Sequence, residues 1–186
     1  MIKKITSTTE DCVKLITQNP SYKLGSWKRV KKYNQHTTVV RYFVNNEYPD
    51  LFLILTDWNG DIEVHERPKF KTLKECIAYS IKIDSNYKPN TDKEDFSLVF
   101  YYLMETYSLK VPEVRYEGQT EELDFENYSF ISYNENELHI CAGGDWQEPL
   151  YCKFYIKEGF PVMEKLRPVC EDTIITNEEV IEYYLS

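Results

Sequence analysis

Histidine, glycine and paired cysteines are scarce in this chain of 186 residues. It contains three histidines and six glycines, and its five cysteines include no Cys-x-x-Cys pair of the kind that binds zinc or exchanges disulfides. Glycine-rich phosphate loops, zinc-protease and serine-hydrolase motifs and the EF-hand loop are also missing from the sequence. We therefore expect no metal ion and no cofactor, and we give an enzyme less weight than a binding protein.

Long apolar segments are lacking too. No stretch approaches the roughly 18 uninterrupted apolar residues that a membrane-spanning helix needs. The N-terminal sequence MIKKITSTTED has no apolar core after its lysines. An odd number of cysteines fits a reducing compartment, and we expect a cytoplasmic protein that does not bind a membrane. The cysteines are Cys12, Cys76, Cys141, Cys152 and Cys170.

Capping boxes mark the starts of three helices, because a threonine hydroxyl and a glutamate three residues later satisfy free amide groups reciprocally. They are Thr72 with Glu75, Thr91 with Glu94, and Thr176 with Glu179. Apolar periodicity predicts helices over residues 9–18, 73–86 and 92–108 and a short helix after residue 176. Alternation predicts strands over residues 37–45, 51–58, 61–66, 126–133, 137–142, 149–157 and 160–166.

The order of these elements, αβββα followed by αββββα, predicts an α+β fold. One or two antiparallel sheets with the helices packed on one face would bury the apolar sides most simply. We interpret residues 1–186 as a single domain, with the alternative of two lobes, 1–88 and 89–186, that share a core. Residues 85–90 would form the hinge, because Pro89 disfavours helix at the residue before it.

The dipeptide Asn59-Gly60 predicts a two-residue type I′ turn between two strands. Such a turn fixes the pairing of the strands, and alternate residues then share a face. One face is predicted to belong to the core, and the other is mixed and expected to meet solvent or a partner. The first holds Leu51, Leu53, Leu55, Ile62 and Val64, and the second holds Phe52, Ile54, Thr56, Trp58, Asp61, Glu63, His65 and Arg67.

Charge is distributed unevenly along the chain, whose net charge is -9. Residues 1–45 carry nine basic and two acidic residues, whereas residues 112–150 carry one basic and ten acidic residues. An acidic surface repels nucleic-acid phosphates and attracts basic protein surfaces, including those that normally bind nucleic acid. A solvated acidic loop without a partner is the alternative interpretation.

The acidic segment interleaves carboxylates with aromatic residues, which commonly anchor protein interfaces. We therefore interpret the chain as a non-enzymatic binding module or inhibitor that occupies a basic surface of another protein. Small acidic anti-defence proteins of phages and mobile elements offer an analogy of type, and a subunit of a larger assembly is a further alternative. The predicted partner-binding residues are Glu121, Glu122, Asp124, Glu126, Tyr128, Tyr133, Asp145 and Trp146.

The basic stretch over residues 23–33 combines cations with Trp27, as single-strand nucleic-acid binders do. Affinity for nucleic acid depends mainly on phosphate neutralisation, which the acidic remainder of the chain would weaken. Direct nucleic-acid binding is therefore not the favoured interpretation.

The stretch HICAGGDWQ, residues 139–147, places a histidine, a cysteine and an aspartate beside two glycines. We interpret it as the end of a strand and a turn in which Gly143 and Gly144 supply positive φ. Hairpin pairing is expected to set His139 opposite Cys152 and Cys141 opposite Leu150, on a buried face. A shift of one residue would exchange the faces.

Two chemical alternatives use the same residues. A cryptic enzyme would combine Cys141 or Cys152 with His139 as its base. A metal site would add Cys170 to these three, although the ligand spacing is irregular.

The first half is similar, in element order, to the opening of the PD-(D/E)xK nucleases. Asp50 stands before one strand, and Glu63-Val64-His65 lies in the next. The resemblance implies a divalent metal held by the two acids. The Asn59-Gly60 pairing, however, separates Asp50 from Glu63 by about six residues of strand, or roughly 20 Å. His65 stands where that family has lysine, so a metal-dependent nuclease is kept only as an alternative.

Overall fold

The structure is a computed structural model with an antiparallel α+β fold. It describes residues 8–33, 36–48, 50–83, 96, 99–100, 103–104, 107, 109, 111–116, 118–168 and 174–186. They belong to two compact units, Met1–Lys69 and Phe70–Ser186. The predicted fold class is confirmed, and the stretch proposed as a hinge, residues 85–90, lies outside the described residues.

The first unit consists of one helix followed by a four-stranded antiparallel meander. Helix α1 (Thr9–Thr17) begins after Thr8, whose hydroxyl accepts a hydrogen bond from the amide of Asp11. The strands lie in the order β1-β2-β3-β4. Their bounds are β1 Tyr22–Tyr33, β2 His36–Asn45, β3 Leu51–Trp58 and β4 Asp61–Pro68.

Strand β1 contains the basic stretch and was not predicted from alternation. It lies at the edge of the sheet, and its pairing with β2 is irregular between Leu24 and Lys28. Within this irregular stretch Gly25 lies directly beside the ring of Tyr42, because a Cβ atom there would come within 2.1 Å of Tyr42 Cζ. Because the pairing is irregular and lysine, which is common on edge strands, is frequent, β1 does not show the regular alternation of apolar and polar residues that identifies a strand.

The Asn59-Gly60 hairpin has the predicted register. Trp58 pairs with Asp61, and the pairing continues in step to the start of β3. Asn59 has φ 51° and Gly60 has φ 90°, as a type I′ turn requires. The turn chemistry alone was therefore sufficient to place every residue of this hairpin.

The predicted core face of the hairpin is confirmed, but the prediction for its other face is partly wrong. Leu55 and Ile62 are buried with residues of α1 and β2. Phe52 and Ile54 on the second face are also buried, each 2% exposed. Alternation assigns residues to faces without showing which faces are covered, and β2 adds more apolar side chains beside these two. Only the Trp58 end of this face, 53% exposed, meets solvent as expected.

The second unit packs helices against one face of another four-stranded antiparallel sheet. Its sheet has the order β10-β9-β8-β7, and β5 and β6 form a separate two-stranded hairpin that was not predicted. Residues 99–100, 103–104 and 107 are helical, in agreement with the helix predicted there. The other bounds are α2 Leu73–Ile83, β5 Glu113–Tyr116, β6 Gln119–Glu122, β7 Asn127–Tyr133, β8 Glu137–Gly143, β9 Leu150–Lys157, β10 Phe160–Lys165 and α3 Asn177–Leu185.

Aromatic rings fill the core between these helical residues and the sheet. Phe100 stacks on Phe154 of β9, with ring centroids 5.1 Å apart and planes 11° apart. Phe96 meets Phe130 of β7 edge-on at 5.1 Å. No helix of the described residues is long and apolar enough to cross a membrane.

One predicted capping box is complete and another is half formed. At α3, Thr176 and Glu179 exchange both hydrogen bonds. At α2, the amide of Glu75 donates to the Thr72 hydroxyl, but the Glu75 carboxylate accepts from the amide of Lys71. The box at Thr91 lies outside the described residues.

Candidate functional site

The loop between β8 and β9, residues 144–149, is fixed by the side chain of Gln147. Its Oε1 accepts hydrogen bonds from the amides of Asp124 (2.9 Å) and Gly144 (3.2 Å). Its Nε2 donates to the carbonyl of Glu122 at 3.0 Å. One side chain therefore joins the loop to residues 122–124, the part of the acidic segment that lies just before β7.

The two glycines of this loop do not have the predicted role. Neither Gly143 nor Gly144 has positive φ, so that prediction is wrong. Gly144 instead allows close approach, because a Cβ there would lie 3.2 Å from the Cβ of Asp124. A loop of six residues can reverse the chain without the left-handed conformation that a two-residue turn demands.

One further hydrogen bond ties the loop to the start of β7, and another orders the acidic residues just before it. Asp145 Oδ1 accepts from Asn127 Nδ2 at 2.9 Å, and Asp124 Oδ1 accepts from the amide of Glu126 at 3.1 Å. Glu126 and Asp145 are exposed, and Asp124 is half-buried. The loop of residues 144–149 and the acidic residues before β7, which are about twenty positions apart in sequence, thus form one structure.

This structure is named the acidic tip, and it contains six of the eight predicted partner-binding residues. Among the described residues, no lysine or arginine forms an ion pair with Glu121, Glu126 or Asp145. Trp146 is 77% exposed at the end of the loop. The acidic tip therefore presents an exposed indole on a loop that is hydrogen-bonded to the backbone of Glu122 and Asp124. Its members are Glu121, Glu122, Asp124, Glu126, Asp145 and Trp146.

Tyr128 and Tyr133 are half-buried and have structural contacts within the second unit. The hydroxyl of Tyr128 accepts from the amide of Phe96 (2.7 Å) and from Asn177 Nδ2 (2.8 Å). Tyr133 pairs with Leu138 at the other end of β7, and its ring lies 5.0 Å from that of Tyr183. We therefore leave both tyrosines out of the site.

The pairing of β8 with β9 is shifted by one residue from the prediction. His139 lies opposite Lys153 and Cys141 opposite Tyr151, so the predicted partners Cys152 and Leu150 are wrong. Cys152 is fully buried on the core face, whereas His139 and Cys141 are half-buried on the opposite face. The six-residue loop carries no turn signal that fixes the register, and packing of the core face decides it.

This shift weakens the case for cysteine chemistry. Burial and, secondly, the nearby Cys141 raise the pKa of Cys152 to about 12. Burial also raises the pKa of Cys141, against a smaller lowering by a hydrogen bond with Tyr151. A reactive thiol needs an exposed electropositive setting that favours thiolate. His139 Nε2, moreover, already lies 3.0 Å from Glu137 Oε2.

The open face of the same sheet carries a polar network that the sequence reading missed. Lys153 Nζ lies 3.1 Å from Glu164 Oε1 and 3.6 Å from Glu137 Oε1. Tyr155 OH donates to Glu164 Oε2 at 2.9 Å. Hydrogen bonding to Lys153 and Tyr155 lowers the pKa of Glu164, and a hydrogen bond with His139 lowers that of Glu137. The correct register, which places these residues on one face, is the signal that could have revealed the network.

Those proposed metal ligands that the structure describes do not form a metal centre. In the described part of the chain, no group of three or more histidine, cysteine, aspartate or glutamate side chains could hold a metal ion. Cys170 lies outside that part. Asp50 lies beside Lys69 beyond the end of the β3–β4 pairing, while Glu63 pairs with Thr56 and hydrogen-bonds to His65. The two nuclease-like acids are therefore not brought together.

Comparison with known proteins identifies no relative. No protein-family model matches the chain, and neither a curated protein nor a solved structure shows significant similarity to it. The geometry of the acidic tip must therefore support any functional proposal.

Proposed function

We propose that this chain is a non-enzymatic binding module or inhibitor that occupies a basic surface of another protein. The observation that carries the proposal is the acidic tip, where hydrogen bonds of the Gln147 side chain join the backbone of acidic residues to the loop that carries an exposed tryptophan. Carboxylates attract and orient a basic partner, and an aromatic anchor supplies the desolvated contact that charge alone does not provide.

The charge of the acidic tip supports a protein partner over nucleic acid. Residues 112–150 carry ten acidic residues and one basic residue, so a phosphate backbone would be repelled. A protein site that normally holds nucleic acid has the complementary charge. An anti-defence role, in which such a site is blocked, is the setting that we propose for this activity.

The test is affinity capture from the native cell with three matched baits. The first is the wild-type chain, and the second removes four charges from the acidic tip. The third removes four charges from exposed positions outside the tip in the same unit, so that both variants have the same net charge. The variants are Glu121→Gln, Glu122→Gln, Asp124→Asn and Glu126→Gln together, and Glu135→Gln, Glu158→Gln, Glu178→Gln and Glu182→Gln together.

We expect one partner to be captured by the wild-type and control baits but not by the tip variant. Added single-stranded DNA should also displace the partner, because both ligands would occupy the same basic site. A partner captured equally well by the correctly folded tip variant would disprove the proposal.

A further inference from the structure

We propose that Trp146 makes the acidic tip selective for arginine over lysine on the partner. In this arrangement the indole is a platform on which a guanidinium stacks while carboxylates of the tip accept its hydrogen bonds. The inference rests on the proposed function and adds the chemical identity of the recognised group.

Trp146 is the most exposed tryptophan for which the structure gives a value. The exposed fraction of Trp146 is 77%, whereas that of Trp58 is 53%. A large apolar ring left in water contributes nothing to the core, and most of its surface is open to a ligand. Tryptophan presents the most favourable aromatic face to a cation.

The backbone on both sides of Trp146 is held in place. Asp145 before it accepts a hydrogen bond from Asn127, and Gln147 after it is bonded to the amides of Asp124 and Gly144. The amide of Gln147 also donates to the carbonyl of Gly144 at 3.0 Å. A loop that is ordered before binding loses less backbone entropy when a ligand contacts it.

The combination of indole and carboxylates distinguishes the two basic side chains. A guanidinium is planar and weakly hydrated, so it can stack on a ring and donate to carboxylates in its own plane at the same time. A lysine ammonium is a compact and strongly hydrated charge that gains little from stacking. Carboxylates alone already favour a guanidinium through paired hydrogen bonds, and the indole adds a stacking contact that an ammonium gains little from.

The test measures binding of two peptides with equal charge, octa-arginine and octa-lysine, by titration calorimetry. The proteins are the wild-type chain, Trp146→Leu, and Trp58→Leu as a matched control at the other exposed hairpin end. We expect the wild type and the control to prefer octa-arginine by about two- to five-fold more than Trp146→Leu does, which is the size of an exposed cation–π contact. Affinity of Trp146→Leu for octa-lysine should stay within about two-fold of wild type, since stacking adds little there.

Each outcome is decisive. An arginine preference as large in Trp146→Leu as in the wild type, or one that is reduced equally in Trp58→Leu, overturns the selectivity. Equal binding of both peptides by the wild type, lost in the four-charge tip variant, overturns the selectivity but leaves the proposed function standing. Binding of neither peptide overturns both.

Discussion

Gln147 joins three parts of the second unit through one side chain, and this makes it the most informative single residue of the site. Its amide group satisfies the backbone of Glu122, Asp124 and Gly144. No sequence pattern predicts this role for a glutamine three positions after a glycine pair. Two of its three hydrogen-bond partners are more than twenty residues away in sequence. The individual acidic residues could be predicted, whereas their connection through Gln147 could not.

Gln147→Ala should loosen the acidic tip without unfolding the chain. Each of the three lost hydrogen bonds contributes about 0.5–1.5 kcal/mol, so we expect a loss of about 1.5–4.5 kcal/mol in the free energy of unfolding. Hydrogen exchange should quicken at the amides of Asp124 and Gly144, which donate to Gln147. The matched control is Gln119→Ala. Gln119 is exposed and lies at the start of β6, whereas Glu122, which Gln147 contacts, lies at the end of that strand. Unchanged exchange at both amides would show that the side chain does not hold the loop.

The two cysteines of the HICAGGDWQ region should differ in reactivity. Burial raises the pKa of Cys152 to about 12, and Cys141 is only half-buried. A raised pKa in the folded state keeps the thiol protonated at neutral pH, and thiolate is the form that reacts. Iodoacetamide at pH 7.5, followed by peptide mass mapping, should therefore modify Cys141 before Cys152.

In guanidinium chloride, where burial is lost, the two should react at similar rates. Equal rates in the folded protein would mean that the face assignment of β8 and β9 is wrong. Cys141→Ser should still bind octa-arginine, since the proposed surface does not use a thiol.

At the level of elements, the two hairpins of the chain show what turn chemistry can and cannot fix. Asn59-Gly60 demands positive φ at both positions, and this requirement gave the register of β3 and β4 correctly. The loop of residues 144–149 makes no such demand, and the predicted register of β8 and β9 was wrong by one residue. A register error of one residue assigns every side chain of a strand to the wrong face. The polar residues of β8 and β9 were therefore not predicted to share a face.

Strands β5 and β6 show a second limit of pattern reading. They have four residues each, and β6, with the sequence QTEE, contains no apolar residue. Alternation has nothing to detect in such a short polar strand. No strand was therefore predicted between the helix over residues 92–108 and residue 126, although β5 and β6 form a hairpin there.

Substitutions in the β3–β4 hairpin should follow burial rather than residue type alone. Leu55 is 0% exposed, and Leu53 is only partly buried against the same core. Leu55→Ala should cost about 2–5 kcal/mol, as deletions of large buried side chains do. Leu53→Ala should cost less, and Thr56→Ala least. Denaturant titration of the three variants checks this order, and equal losses would contradict the assignment of the faces.

At the scale of the whole molecule, charge separates with the two units. Residues 1–69 contain eleven basic and eight acidic residues, whereas residues 70–186 contain eleven basic and twenty-three acidic residues. The net charge of -9 therefore comes from the second unit, which also contains the acidic tip. The charge asymmetry could be predicted from the sequence. The connection between the acidic residues and the loop that carries an exposed indole could be found only from the fold.

Such a concentration of charge should act mainly on the rate of association. Salt screens long-range attraction over about 8–10 Å at physiological ionic strength, whereas close contacts in a formed complex are screened much less. We expect the association rate constant with labelled octa-arginine, measured by stopped flow, to fall by about ten-fold or more between low and high salt. The dissociation rate constant should change less. The four-charge tip variant should show a flatter salt dependence than the control that removes four charges elsewhere in the unit. Equal flattening in both variants would show that the overall field of the molecule attracts the peptide and that the acidic tip has no special part in it.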